Sequence, residues 1–95
     1  MALGTMSYSE AKTCASELGK AASNMDQLFN NLRNEMDSLQ EDLKSSAADE
    51  LYATYKVLEA KLSSFPNKVR DFKGFLEAAV AQYEADDAAL ANEVR

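Results

Sequence analysis

The sequence predicts an all-α protein, an antiparallel hairpin of two long helices that dimerises into a four-helix bundle. Apolar residues recur at alternating spacings of three and four on both sides of a short central stretch, Leu43 to Asp49, where that rhythm is lost. The 95-residue chain has only three Gly and one Pro, which leaves little material for the turns of a sheet. We therefore expect one helical domain that folds back near its centre.

The first helix is predicted from about residue 7 to residue 43. Ser7 and Glu10 fit a capping box, in which the serine side chain accepts from the N–H three residues further on. The apolar positions that follow form a heptad stripe with one extra residue after Leu32: Ala11, Cys14, Leu18, Ala21, Met25, Leu28, Leu32, Met36, Leu39 and Leu43. Small residues dominate the first half of this stripe, so another helix can approach closely there. Residues 1–6 are interpreted as a cloning remnant or a disordered N-terminus, outside the domain of residues 7–95.

The tip of the hairpin is predicted at residues 44–47, with a second capping box from Ser46 to Asp49. The second helix should run from about residue 48 to residue 85. Its apolar residues keep a regular rhythm of four and three: Leu51, Tyr55, Leu58, Leu62, Phe65, Val69, Phe72, Leu76, Ala79 and Tyr83. We expect aromatic side chains to line the seam between the helices, at Tyr55, Phe65, Phe72 and Tyr83. The pattern then weakens, and residues 86–95 are expected to form a fraying helical tail.

Pro66 lies inside the second stripe. A proline within a helix removes one backbone hydrogen bond, here the one to Leu62, and costs about 3 kcal/mol. The chain could form one helix kinked at Pro66, or two helices separated at Ser63–Ser64. The stripe keeps its phase from Leu62 through Phe65 to Val69, which favours the kinked helix.

Apolar residues beside the stripes make them wider than the seam of a two-stranded coiled coil. A lone hairpin would expose this surface to water. We therefore expect it to pair with a second copy or with a related hairpin in a four-helix bundle. The predicted interface residues are Leu28, Phe29, Leu32, Tyr55, Leu58, Leu62, Phe65, Val69, Phe72, Phe75 and Leu76.

Composition and charge narrow the functional classes. The net charge of −6 and the pI near 4.5 argue against nucleic acid and anionic membrane surfaces as partners. No apolar run approaches the roughly 18–20 residues that span a bilayer, so we expect no membrane insertion. The chain has no His, and its single cysteine, Cys14, is interpreted as a core residue. With no nucleophile, phosphate-loop or metal-ligand motif, we expect neither an enzyme nor a cofactor.

A chain of this length with two long helices and a tight central tip resembles the WXG family, the small ESAT-like substrates of bacterial type VII secretion. The resemblance covers residues 7–95. At the position of the family's Trp-x-Gly triplet, this chain has Leu43-Lys44-Ser45, followed by Leu51 and Tyr55. Leu43 and Ser45 depart from the name-giving residues, which puts the family's surface feature at the tip in doubt. A packing role at the end of the bundle is the simpler reading of Leu43.

Near the C-terminus, Tyr83-x-x-x-Asp87 matches the family's Tyr-x-x-x-Asp/Glu export signal. The resemblance implies that the type VII secretion ATPase reads these two side chains, which a spacing of four places on one helical face. Tyr55-x-x-x-Glu59 is a second match, but it lies mid-helix and we set it aside. Tyr83 could also be simply the last core aromatic of the stripe.

The resemblance implies a protein that is secreted without a cleaved signal peptide, as in Gram-positive bacteria, and that acts as an export-targeting dimer. A second reading is a dedicated helper of a larger LXG-class toxin, because small WXG-like partners that lack the Trp and Gly bind such toxins. A third is a cytoplasmic coiled-coil adaptor with no link to export.

Overall fold

The protein is a long helical hairpin. The computed structural model describes residues 2–3 and 6–93 of the chain. Helix α1 spans Tyr8–Leu43, α2 spans Ser46–Leu62 and α3 spans Phe65–Glu93. Before them, strands β1 (Ala2–Leu3) and β2 (Met6–Ser7) pair antiparallel as a short ribbon. We call α2 and α3 together the second arm, which packs back along α1 in a rod of 76 × 17 × 17 Å.

The start of α1 confirms the first capping box. The Ser7 Oγ accepts a hydrogen bond from the Glu10 N–H at 3.1 Å, and Ser7 is the N-cap residue. The Glu10 carboxylate in turn accepts from the Ser7 hydroxyl at 3.0 Å. This reciprocal pair satisfies one of the N–H groups that a helix start leaves without an intrahelical partner.

The tip consists of two residues, and it is shorter than predicted. Lys44 adopts the left-handed conformation (φ 43°, ψ 50°), and its N–H donates to the Gln40 carbonyl at 3.3 Å, which ends α1. Ser45 then caps α2, since its Oγ accepts from the Ala48 N–H at 3.2 Å. The prediction that placed the cap at Ser46 and the helix start at residue 48 is therefore wrong. Two serines in succession offered the same side chain at adjacent positions, and the geometry of Lys44 selects the first.

The second arm is interrupted at Ser63–Ser64, so the preference for one helix kinked at Pro66 is wrong. α2 ends at Leu62, and the Ser63 N–H closes its last turn on the Glu59 carbonyl at 2.8 Å. The break places Pro66 in the first turn of α3, where its missing N–H would have had no intrahelical partner. Pro66 is fully buried there.

The two segments of the second arm remain nearly in line. The 48 residues from Ser46 to Glu93 would span about 72 Å as one straight helix at ~1.5 Å per residue, close to the 76 Å length of the molecule. The apolar stripe keeps its phase across Ser63–Ser64 for that reason. The predicted tail is helical over the described residues, because α3 continues to Glu93, and its fraying stays a prediction.

Small residues in the first half of α1 are buried where α1 packs against α3. Ala11, Ala15 and Ala22 are buried, and Val80 of α3 is buried opposite this region. This confirms the predicted close approach near the start of α1. Burying alanine lets two helices come close together, at the cost of a thin core.

The aromatic stripe does not line the seam between the arms. Tyr55 is buried as predicted, but Phe65, Phe72 and Tyr83 are about half exposed. The inward line of α3 instead passes through Pro66 and Val80, which are rotated to one side of these aromatics. The prediction of an aromatic seam is therefore wrong for α3, and its large side chains remain available at the surface.

Candidate partner-binding face and C-terminal signal

The predicted interface residues fall into three groups by exposure. Five of them expose between 47% and 71% of their surface: Leu28, Leu58, Phe65, Phe72 and Phe75. Five more are half-buried: Phe29, Leu32, Leu62, Val69 and Leu76. Only Tyr55 is buried, at 7% exposure. The hairpin thus leaves five of the eleven predicted interface residues exposed and five more only partly covered.

Helical geometry gives these side chains a common direction within each arm. In α1, Met25 and Leu28 are rotated by about 60° and 120° from the buried Ala22, at ~100° per residue. In α3, Phe72 is rotated by about 80° from the buried Val80 in the same rotational sense. In α2, Leu58 is rotated by about 60° from the buried Tyr55, again in that sense.

Equal rotations place the apolar side chains of both arms on the same side of the hairpin. Two antiparallel helices that face each other are related by a two-fold axis perpendicular to both. This axis carries a given rotation on one helix to the same side on the other. Large side chains from α1, α2 and α3 therefore share one long surface, which we call the apolar face: Met25, Leu28, Leu32, Leu58, Phe65, Phe72 and Phe75.

The opposite side of the hairpin is polar. Ser16 and Ser23 are rotated about 100° the other way from Ala15 and Ala22, and they line a shallow groove with Lys20 and Lys73. The Lys73 ammonium is satisfied within that groove, because its Nζ lies 3.0 Å from the Glu77 carboxylate. The hairpin is therefore amphipathic across its width, with one side suited to solvent and the other to a partner.

A polar cluster fixes the middle of the hairpin. The Arg33 guanidinium of α1 pairs with the Glu59 carboxylate of α2 at 3.1 Å. The Tyr55 hydroxyl donates to the Phe29 carbonyl at 3.2 Å and lies beside Glu59. Burial, and then the nearby Glu59 carboxylate, raise the pKa of Tyr55 to about 12. The Tyr55 hydroxyl and then the Arg33 guanidinium lower the pKa of Glu59 below its usual value.

This cluster explains why Tyr55-x-x-x-Glu59 is unsuited to be a signal. Both side chains are committed to contacts between the arms, and little of either is accessible, with Tyr55 7% exposed and the Glu59 side chain 13% exposed. A receptor could reach them only by opening the hairpin. The sequence contains two matches to the motif, and the fold distinguishes them by accessibility, because Tyr55 is buried and Tyr83 is exposed.

Tyr83 and Asp87 lie in an intact part of α3 near the end of the hairpin. Tyr83 is 52% exposed, so it is not a buried core aromatic. Asp87 is half-buried, and its carboxylate accepts a hydrogen bond from the Tyr8 hydroxyl of α1. That contact with Asp87, with a smaller effect of burial, raises the pKa of Tyr8 to about 12.

The sequence analysis missed Tyr8. It is separated from Asp87 by 79 positions, and no local pattern marks it out. A second contact beside it, between the Lys12 ammonium and the Glu84 carboxylate at 3.0 Å, also joins the first turns of α1 to the last turns of α3. The end of the hairpin is held by these polar contacts between its arms.

The tip residues serve mainly to turn the chain. Lys44 supplies the left-handed residue and Ser45 caps α2, and both are exposed. Leu43 is 59% exposed, so within a single hairpin it does not seal the end of a core. Its packing role would require a neighbouring chain.

Neither a metal site nor a membrane span is found in the part of the chain that the structure describes. Within residues 2–3 and 6–93, no three His, Cys, Asp or Glu side chains come together as potential metal ligands. None of the described helices is long and apolar enough to cross a membrane. Cys14 is a free thiol and half-buried.

No protein-family model matches this chain, and comparisons with curated proteins and with solved structures found no match either.

Proposed function

We propose that this chain is a WXG-like protein of a bacterial type VII secretion system. It pairs with a second helical hairpin through its apolar face and is exported as a folded bundle, and Tyr83 and Asp87 are presented to the secretion ATPase. The observation that carries the proposal is that the exposed large apolar side chains of both arms lie on one side of the hairpin. Monomeric soluble proteins rarely expose so many large apolar side chains on one contiguous surface.

Covering this face would supply a substantial part of the energy that a stable complex needs. Full burial of one Leu or Phe side chain contributes about 1.5–3 kcal/mol. Covering the exposed half of Leu28, Leu58, Phe65, Phe72 and Phe75 would then contribute several kcal/mol before the cost of association. A second hairpin of similar length matches the elongated shape of the face and completes a four-helix bundle.

The position of Tyr83 supports the export part of the proposal. Its ring is about half exposed on a continuous helix, whereas the competing tyrosine, Tyr55, is buried. Asp87 follows one turn later on the same side of α3. Tyr83 lies about 60° from Val80 in the same rotational sense as Phe72, so the proposal requires a partner hairpin that ends short of Tyr83. A receptor can then contact both side chains of the motif without unfolding the hairpin.

The test is export of single variants from the source bacterium. We expect Tyr83→Ala and Asp87→Ala to accumulate in the cells, while the wild type reaches the medium. Asp86→Ala and Gln82→Ala are matched controls, because both residues are exposed on the same two turns of α3 but lie outside the motif. Normal export of both motif variants would contradict the proposal.

One observation favours the second candidate, a helper that binds a non-identical hairpin such as the helical region of an LXG-class toxin. The outer border of the apolar face on α1 carries only acidic charges, at Glu10, Glu17, Glu35 and Asp42, all exposed. The basic residues of α1 lie elsewhere: Lys12 and Arg33 pair with the second arm, and Lys20 lines the polar groove.

Two copies that met with α1 against α1 would bring these acidic borders together, whereas α1 against the second arm would meet the exposed Lys61 and Lys68 on the corresponding border of that arm. Like charges at the rim of an interface disfavour that pairing and select against a wrong partner. The discriminating measurement is sedimentation of the purified chain at low and high salt. A weak self-association that strengthens with salt, together with co-purification of a larger helical protein, supports the helper. A tight dimer at low salt contradicts it.

A further inference from the structure

The two side chains of the signal are treated differently by the fold. Tyr83 is about half exposed, but the Asp87 carboxylate is half-buried and bonded to Tyr8 of the other arm. The neighbouring Asp86 is exposed and accepts a hydrogen bond from the Gln82 amide of α3 at 2.9 Å. Of these two adjacent aspartates, the one in the motif is therefore the one that joins the arms.

The contact at Asp87 is reinforced one turn earlier. The Lys12 ammonium of α1 lies 3.0 Å from the Glu84 carboxylate of α3. Tyr8 and Lys12 are four residues apart and lie on one side of α1. Their partners, Asp87 and Glu84, are three residues apart and lie on one side of α3. The Tyr8–Asp87 hydrogen bond and the Lys12–Glu84 ion pair thus join the turns of α3 that carry the motif to the first turns of α1.

We infer that Tyr8 is a positioning residue of the export signal, and that the signal is a folded surface built from both arms and not a linear C-terminal peptide. This inference rests on the proposed function. Its partner would have an apolar pocket for the Tyr83 ring and a hydrogen-bond donor for the Asp87 carboxylate oxygen that Tyr8 leaves free. A carboxylate has two oxygens and room for several donors, so the Tyr8 bond orients Asp87 without blocking it.

The geometry explains why such a contact would matter for recognition. Helix ends fray, and an isolated last turn samples many orientations. A receptor that binds a frayed tail must order it first, which lowers the affinity. Fastening Asp87 to the first turn of α1 fixes the rotation of α3 and so presents the Tyr83 ring in one direction.

The experiment uses Tyr8→Phe in the full chain, because this change removes one hydroxyl and keeps the ring. Tyr52→Phe in α2 is the matched control, a tyrosine outside this contact. Two quantities are measured on each variant: amide hydrogen exchange of residues 84–93, and export into the medium. Asp87→Asn and the double variant are measured beside them.

We expect Tyr8→Phe to speed exchange in residues 84–93 by about threefold or more and to lower export as far as Asp87→Asn does. The double variant should be no worse than the worse single variant, because both changes remove the same contact. Tyr52→Phe should alter neither quantity.

Three results would overturn the inference. Unchanged exchange in Tyr8→Phe would show that the hydroxyl does not hold α3. Faster exchange with normal or increased export would show that the signal is read as a peptide and that Tyr8 at most covers it. Normal export of both Tyr83→Ala and Asp87→Ala would remove the proposed function and this inference together, although the exchange data would still report the Tyr8–Asp87 contact.

Discussion

Arg33 and Glu59 meet side-on across the hairpin. The Arg33 Nη2 lies 3.1 Å from Glu59 Oε1, and its Nε lies 3.3 Å from both carboxylate oxygens. This forked geometry matches a planar guanidinium to a planar carboxylate and fixes the register of α1 against α2. The Arg33 side chain is 45% exposed, so the pair contributes little to the stability of the fold. Its main effect is to fix the orientation of the two helices.

The first prediction concerns the loss of folding stability at acidic pH. Because the Tyr55 hydroxyl and the Arg33 guanidinium lower the pKa of Glu59 in the folded state, the folded chain binds a proton there less readily than the unfolded chain does. This contribution to stability is present above the usual carboxyl range and is lost as the pH falls through the lowered pKa. Urea denaturation of Glu59→Gln and wild type should therefore differ at neutral pH, and the difference should shrink as the pH falls through the lowered pKa of Glu59.

Glu50→Gln, an exposed residue of α2, is the control for this prediction. It should follow the wild-type curve across the acid range. If the gap between Glu59→Gln and the wild type is the same at both ends of the range, the titration of Glu59 does not contribute to stability.

The second prediction concerns the loss of folding stability at alkaline pH. The pKa is raised to about 12 for Tyr8, chiefly by Asp87, and for Tyr55, chiefly by burial. A tyrosine whose folded pKa lies above its unfolded value of 10.0 stabilises the fold below that value, and the effect is lost as the pH rises towards 12. The denaturation midpoint should therefore fall steeply between these two pH values.

Ultraviolet absorbance of tyrosinate provides an independent check. Of the four tyrosines in the chain, Tyr8 and Tyr55 should titrate late, and Tyr8→Phe and Tyr55→Phe should each remove part of the late component. A single titration of all four tyrosines near the ordinary value would contradict both raised pKa values.

Local rules of the sequence predicted the parts of this fold that depend on a few neighbouring residues. The cap at Ser7 follows from a serine and a glutamate three positions apart, and the small residues around Ala15 anticipated close packing of α1. The break before Pro66 could have been predicted by the same kind of rule, because a proline is tolerated in the first turn of a helix. The continuous phase of the stripe hid it, since α2 and α3 stay nearly in line.

Long-range features could not be predicted from spacing. A wide apolar stripe does not reveal which of its edges faces the other arm and which faces outward. In α3 the edge that carries Val80 is buried against α1, and the edge that carries Phe72 is exposed. The Tyr8–Asp87 contact depends on the length of both arms together. Only the folded hairpin shows that Tyr83 is accessible while Asp87 is bonded to Tyr8.

The third prediction compares two glycines within helices. A Cβ at Gly74 would meet nothing within 4 Å, so Gly74→Ala should stabilise the chain by about 1 kcal/mol through helix propensity. A Cβ at Gly19 would lie 2.9 Å from Lys73 Cε, and the flexible lysine would have to move. Gly19→Ala should therefore stabilise the chain less than Gly74→Ala does. Thermal or urea denaturation of both variants gives the comparison, and a larger gain at Gly19 would refute it.

The last prediction tests the apolar face directly. Phe75 is 71% exposed on the hairpin, so Phe75→Lys should leave the helical content and the stability of the isolated chain nearly unchanged. Pairing should weaken by about tenfold or more, since a fully buried Phe contributes about 1.5–3 kcal/mol and a lysine there would be desolvated. Phe72→Lys should act in the same way.

Ala85→Lys is the control for charge, because Ala85 is exposed and lies outside the apolar face, about 80° around α3 from Phe75 and about 140° from Phe72. Sedimentation, with whichever partner the chain binds, measures the three variants against the wild type. If Ala85→Lys weakens pairing as much as Phe75→Lys does, the effect comes from charge alone. Pairing through another surface would leave Phe75→Lys and Phe72→Lys fully competent, because neither ring would then be covered in the complex.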